Sequence, residues 1–121
     1  MAWDLSSDRP IFIQIIERIQ MDIVSGKYNA GEKLPSVREL AAEAAVNPNT
    51  MQKALSELER TGLVYTQRTS GRYITEDEAM IAGLREKLAR EKVTEFLESM
   101  KRLNYQPDEI VPMITEREET Q

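Results

Sequence analysis

Cysteine and histidine are both absent from the 121-residue chain. Without cysteine there is no disulfide and no thiolate to act as nucleophile. Without histidine the commonest general base and the commonest metal ligand are missing, which excludes most catalytic and transition-metal chemistry. No apolar run approaches the ~18 residues of a membrane span. The opening stretch M-A-W-D-L-S-S-D-R-P lacks a basic segment followed by an apolar core, so no signal peptide is expected. The expectation is a cytoplasmic protein that is not an enzyme, uses no cofactor or metal and contacts no membrane.

Positive charge is also in short supply. There are 16 Lys and Arg against 21 Asp and Glu, a net charge of -5. Taken whole, that argues against a phosphate-rich partner, but the distribution is uneven. Residues 1–75 hold nine basic and nine acidic side chains, and residues 76–121 hold seven against twelve, which accounts for the whole excess. Between Asn47 and Arg72 four basic residues (Lys53, Arg60, Arg68, Arg72) face two acidic ones (Glu57, Glu59), so the middle of the chain is locally positive.

The apolar pattern divides the first 75 residues. Pro10 is expected at the first position of a helix in which Phe12, Ile15, Ile16, Ile19 and Ile23 share one face, with Gly26 as its stop. A turn-rich connector, K-Y-N-A-G-E-K-L-P, follows. Ser36 and Glu39 have the spacing of a capping box, opening a second helix with Leu40, Ala41 and Ala44 inward. That helix ends near Ala45, and Val46 plugs the core at the turn. Asn47 is expected to cap a third helix with Pro48 at its first position, Met51, Ala54, Leu55 and Leu58 buried, and Gly62 as its stop. The period then changes. L-V-Y-T-Q and R-Y-I-T read as a β-hairpin with Gly71 in its turn. This order predicts a mostly α fold with a small β-hairpin, a winged helix-turn-helix. Such folds place the third helix in the major groove of DNA.

Residues 76–121 are expected to form a second, helical part. A helix over 76–103 carries Ile81, Leu84, Leu88, Val93, Phe96, Leu97, Met100 and Leu103 as a stripe, and a shorter segment carries Ile110, Val111, Met113 and Ile114. Pro112 is expected to kink or shorten that segment, and the final residues to fray. So small a domain cannot cover both sides of a long helix, and an apolar stripe left exposed marks an interface. Leu84, Leu88, Val93, Phe96, Leu97, Met100, Leu103, Ile110 and Ile114 are therefore the expected dimerisation surface. Trp3 is expected to anchor the N-terminal arm.

The entrance of the third helix is unusually polar. One side chain suffices to cap a helix, yet Asn47, Asn49, Thr50, Gln52 and Lys53 cluster there. Asn and Gln can bond bidentately to adenine, and Thr offers a hydroxyl and a methyl. Arg68 and Arg72 flank the hairpin turn and are expected phosphate contacts. Lys33 stays open between phosphate and solvent. Glu57 and Glu59 read as a solvated face, since two carboxylates without a pocket or partner base make no acid–base site.

The run L-P-S-V-R-E-L-A-A-E-A-A-V-N-P-N-T-M-Q-K-A-L-S-E-L-E-R-T-G-L-V resembles the DNA-binding domain of GntR-type bacterial transcription regulators. P-I-F-I-Q-I before it, V-N-P-N-T within it and the short tail of about 45 residues after it are similar to the YtrA-like subfamily. The resemblance implies a homodimeric repressor on a palindromic double-stranded operator, dimerised through its tail and lacking a large effector domain. It also implies control of an ABC-transporter operon, and DNA contacts by Ser36 and Arg38 on the second helix, by the polar cluster Asn47, Asn49, Thr50, Gln52 and Lys53 on the third, and by Gly71 and Arg72 in the wing. The chain departs from the family at Pro48, where many members carry arginine, and at Gln52, often basic. Thr69-Ser70-Gly71 keeps only the second glycine of the usual Gly-x-Gly wing. No constellation here specifies a small-molecule effector. The competing reading is a winged-helix module that binds protein through its acidic tail; absence of DNA affinity at any salt would favour it.

Overall fold

The computed structural model describes residues 2–119. Among them the elements run α1 (Ile11–Val24), α2 (Val37–Ala44), α3 (Pro48–Arg60), β1 (Val64–Gln67), β2 (Gly71–Ile74), α4 (Glu78–Arg102) and α5 (Pro107–Glu119). They fall into two compact units, one ending at Arg85 and the other starting at Glu86. The first is a winged helix-turn-helix. It extends past residue 75 because Ile81 and Leu84, in the first turns of α4, pack on its core.

That core is the sum of the three helical stripes. Ile15, Ile19 and Ile23 of α1 meet Leu40, Ala41 and Ala44 of α2 and Met51, Ala54, Leu55 and Leu58 of α3, with Val64 and Ile74 of the hairpin closing one side. Each fully buried Leu or Ile contributes roughly 1.5–3 kcal/mol. The helix starts follow their capping signals. At α2 the amide of Glu39 donates to Ser36 Oγ (3.1 Å), and the amide of Ser36 donates to Glu39 Oε1 (2.9 Å). Asn47 caps α3 by accepting from the amide of Asn49 (2.7 Å), with Pro48 at the first helical position. Between these helices Ala45 takes a left-handed conformation (φ 61°) that turns the chain sharply.

Two details differ from expectation in this unit. Pro10 is the residue before α1, in extended conformation, and Ile11 is the first helical one. The buried side chain of Gln14 organises this start: its Oε1 accepts from the amide of Ser6, and its Nε2 donates to the carbonyls of Ser6 and Arg9. The connector before α2 is also more than a turn. The Leu34 amide donates to the Arg72 carbonyl and the Ile74 amide to the Glu32 carbonyl, both at 2.9 Å. Residues 32–34 thus flank β2 on the side opposite β1 and brace the hairpin. Trp3 is 7% exposed and belongs to the core. Its Nε1 donates to Glu43 on α2 (3.2 Å), and the Arg18 guanidinium of α1 sits 4.6 Å from the ring centroid.

In the second unit α4 continues to Arg102 and Asn104 adopts a left-handed conformation (φ 72°), which ends the helix. Asparagine tolerates that region better than most residues. The expectation for Pro112 is corrected: α5 runs uninterrupted through it to Glu119. Pro112 removes one donor to the carbonyl of Asp108, but a turn of helix precedes it and the turns beyond keep their bonds. Thr115–Glu119, expected to fray, are helical; Thr120 and Gln121 lie outside the described residues.

Candidate nucleic-acid interface

The first turn of α2 and the wing enclose a groove of about 400 Å³ lined by Lys33, Ser36, Arg38, Ser70, Gly71 and Arg72 among others. The capping box fixes the turn from which Ser36 and Arg38 project, both exposed. Glu39 reaches back to that box. The hydrogen bond from the Ser36 backbone is the main reason its carboxyl titrates below the usual range, so it stays ionised and holds the turn. On the other wall, Gly71 has φ +120°, a region L side chains rarely adopt, and a Cβ there would lie 3.2 Å from Lys33 Cε. Glycine lets the wing backbone and the Lys33 side chain approach.

The polar entrance of α3 is more tied down than its sequence suggests. Asn47, Asn49, Gln52 and Lys53 are exposed and Thr50 is half-buried. Asn47 spends its oxygen on the cap, keeping its amide as a donor. Gln52 donates to Ser56 one turn on (3.2 Å). Lys53 Nζ rests 3.9 Å from the centroid of the Phe12 ring, which fixes the side chain without neutralising it.

In the wing, Arg68 is exposed at the hairpin tip. Arg72 is not a solvated charge. Its Nε donates to Glu59 on α3, and the same carboxylate oxygen accepts from Thr66 Oγ1 (2.8 Å). Burial pushes the Glu59 pKa up, but the Arg72 and Thr66 bonds and the Arg72 charge outweigh it and hold the carboxyl below its ordinary value. The reading of Glu59 as solvated is therefore corrected, because the hairpin register sets Thr66 opposite Arg72 and both reach it. Glu57 does face solvent in part, paired with Arg60 one turn away. Its carboxyl is held below the usual range chiefly by the hydrogen bond from Arg60.

A groove between the start of one helix and a glycine-bearing wing, with a polar entrance to the next helix, is the arrangement of a winged helix-turn-helix. The family model for bacterial regulatory proteins, gntR family, matches residues 13–74. The chain belongs to the GntR family. The HTH-type transcriptional repressor YtrA of Bacillus subtilis is 41% identical over 100 residues, covering 83% of this chain and 72% of that protein. A GntR family transcriptional regulator from Listeria monocytogenes superposes with a TM-score of 0.84 at 39% identity, covering 93% of this chain and 98% of that one. The DNA-binding domain of AraR in complex with operator ORX1 superposes with a TM-score of 0.54 at 29% identity, over 62% of this chain and 92% of that one. This chain is thus a GntR-family transcription regulator of the YtrA-like type with a helix-turn-helix DNA-binding domain, and its relatives are regulators, not enzymes.

The expected dimerisation residues separate into groups. Val93, Phe96, Leu97, Leu103 and Ile114 are exposed, as are Val111 and Met113 beside them. Leu88 and Met100 are half-buried. Leu84 departs from the expectation by covering the core of the GntR head, and Ile110 by being 2% exposed within its own chain. Ile110 lines the groove of α4 and α5 with Leu97 and Tyr105. Both therefore pack within their own chain. Among the described residues no acidic cluster could hold a metal ion, and no helix is long and apolar enough to cross a membrane.

Proposed function

We propose that this chain is a cytoplasmic homodimeric repressor that occupies a palindromic operator and excludes the transcription machinery from a promoter. Residues 1–75 read the DNA and residues 76–121 hold the two copies together. Ser36, Arg38, Lys53, Arg68, Gly71 and Arg72 fix the register on phosphates, and Asn47, Asn49, Thr50 and Gln52 select bases. Two copies of α3 would enter successive major grooves about 34 Å apart. The observation that carries this reading is the groove in which the start of α2 meets the wing, with Arg38 and Arg72 on it. The exposed side chains Val93, Phe96, Leu97, Leu103 and Ile114 support a second copy as the cover for the tail, since lone chains seldom leave so many large apolar groups in water. The YtrA-like resemblance makes the control region of an ABC-transporter operon the first operator to test.

The test is fluorescence anisotropy of a labelled duplex from upstream of the protein's own gene, at two salt concentrations, with scrambled duplex as competitor. Tight binding that resists the competitor and weakens with salt is expected. Equal, weak binding to both duplexes at every salt would instead support a protein-binding module.

A further inference from the structure

Glu59 lies on the last turn of α3, thirteen residues before Arg72 in sequence. The antiparallel register pairs Thr66 with Arg72, so both side chains leave the same face of the hairpin. Both donate to one oxygen of Glu59. The carboxylate side chain is 30% exposed and the arginine 19%, so neither is freely solvated. Arg72 also lines the groove with Lys33, Ser36 and Arg38. A guanidinium has five N–H donors in a rigid plane, and Nε supplies one of them. Holding Nε fixes that plane while leaving the donors on the two terminal nitrogens for a second anion.

We propose that Glu59 is a positioning residue for DNA binding: by holding Nε of Arg72, with Thr66 as the third member, it aims the arginine's terminal nitrogens at a backbone phosphate and ties the wing to the recognition helix. This rests on the DNA-binding reading above. Glu59 itself touches no DNA. Its negative charge lowers the long-range attraction of the head for phosphate, and it acts by fixing the orientation of a neighbour, as outer-shell groups do for bound ions. If Glu59 merely neutralised Arg72, removing it would tighten binding. If it merely held the fold, removing it would lower the melting temperature without changing the number of phosphate contacts.

The experiment is a double-mutant cycle of Glu59→Ala, Arg72→Ala and both together, in the full chain. A duplex selected from a random library on the wild-type protein serves as probe. Affinity is measured from low to moderate salt and thermal melting beside it. Arg72→Ala and Glu59→Ala are each expected to weaken binding roughly tenfold and to lower the slope of log affinity against log salt by about one contact. The double variant should be no weaker than Arg72→Ala. Glu59→Gln keeps an acceptor at the same place and should bind within about threefold of wild type, which tests the idea even if Glu59→Ala is unstable. Additive losses, an unchanged salt slope or tighter binding by Glu59→Ala would overturn the inference while leaving the DNA-binding reading intact. A wild-type chain that binds no duplex at any salt would overturn both.

Discussion

Arg38 projects from a turn held by the Ser36–Glu39 box, so truncating it removes a charge without disturbing the cap. Arg38→Ala is expected to weaken duplex binding by about 1–3 kcal/mol and leave the oligomeric state unchanged by sedimentation. Unchanged affinity would remove Arg38 from the interface. Ala45 makes a different residue-scale prediction. A non-glycine residue in the left-handed region costs roughly 1–2 kcal/mol, and glycine returns only part of that as lost chain entropy. Ala45→Gly should therefore stabilise the head by about 0.5–1 kcal/mol in urea melts; a less stable variant would mean that the alanine methyl packs usefully. Residues acting on near neighbours were legible in the sequence, including Ser36 with Glu39 and Asn47 with Pro48. The Glu59–Arg72–Thr66 cluster and the approach of Lys33 to Gly71 were not, because each depends on the hairpin register or on the pairing of residues 32–34 with β2.

At the scale of elements, all three helices and the hairpin of the head follow from apolar period and stop signals. The α5 helix exceeds what its sequence suggested, because one proline's penalty of about 3 kcal/mol is set against a 13-residue helix with an acidic first turn. Gly83 sits within α4, and nothing lies within 4 Å of where its Cβ would be. Gly83→Ala should add about 1 kcal/mol; circular dichroism melts that fail to rise would point to a constraint on α4 other than helix propensity. Between wing and α3, Glu59 titrates below its ordinary value, so its contribution is complete above the unfolded glutamate pKa of ~4.3 and is lost as the pH falls through the lower folded value. Replacing it with glutamine should flatten the fall in melting temperature below about pH 4. An acid limb as steep as wild type would show that Glu39, Glu57 and other carboxylates account for it.

For the whole molecule, Leu97 carries the sharpest prediction. It is exposed on α4 and also lines the α4–α5 groove beside Ile110, so Leu97→Asp places a charge on the proposed interface and its helicity is checked beside its sedimentation. The variant should sediment as a monomer and lose most of its operator affinity, since a single head engages one half-site. A variant that remains dimeric would move the interface elsewhere. The charge balance was readable in advance as an acidic tail and a neutral head. Which residues of the apolar stripe stay exposed was not, because periodicity alone does not tell a side chain that packs on its own chain, as Leu84 does, from one left in solvent.

The chain has a single tryptophan, and it is fixed in the head between Arg18 and Glu43. Its emission is a built-in optical reporter for one unit only. Loosening of the tail should pass unseen in tryptophan fluorescence while lowering ellipticity at the helical bands, and melting of the head should shift the emission to longer wavelength. Two optical signals followed in one heating experiment would then tell whether the two units unfold together, with no label attached.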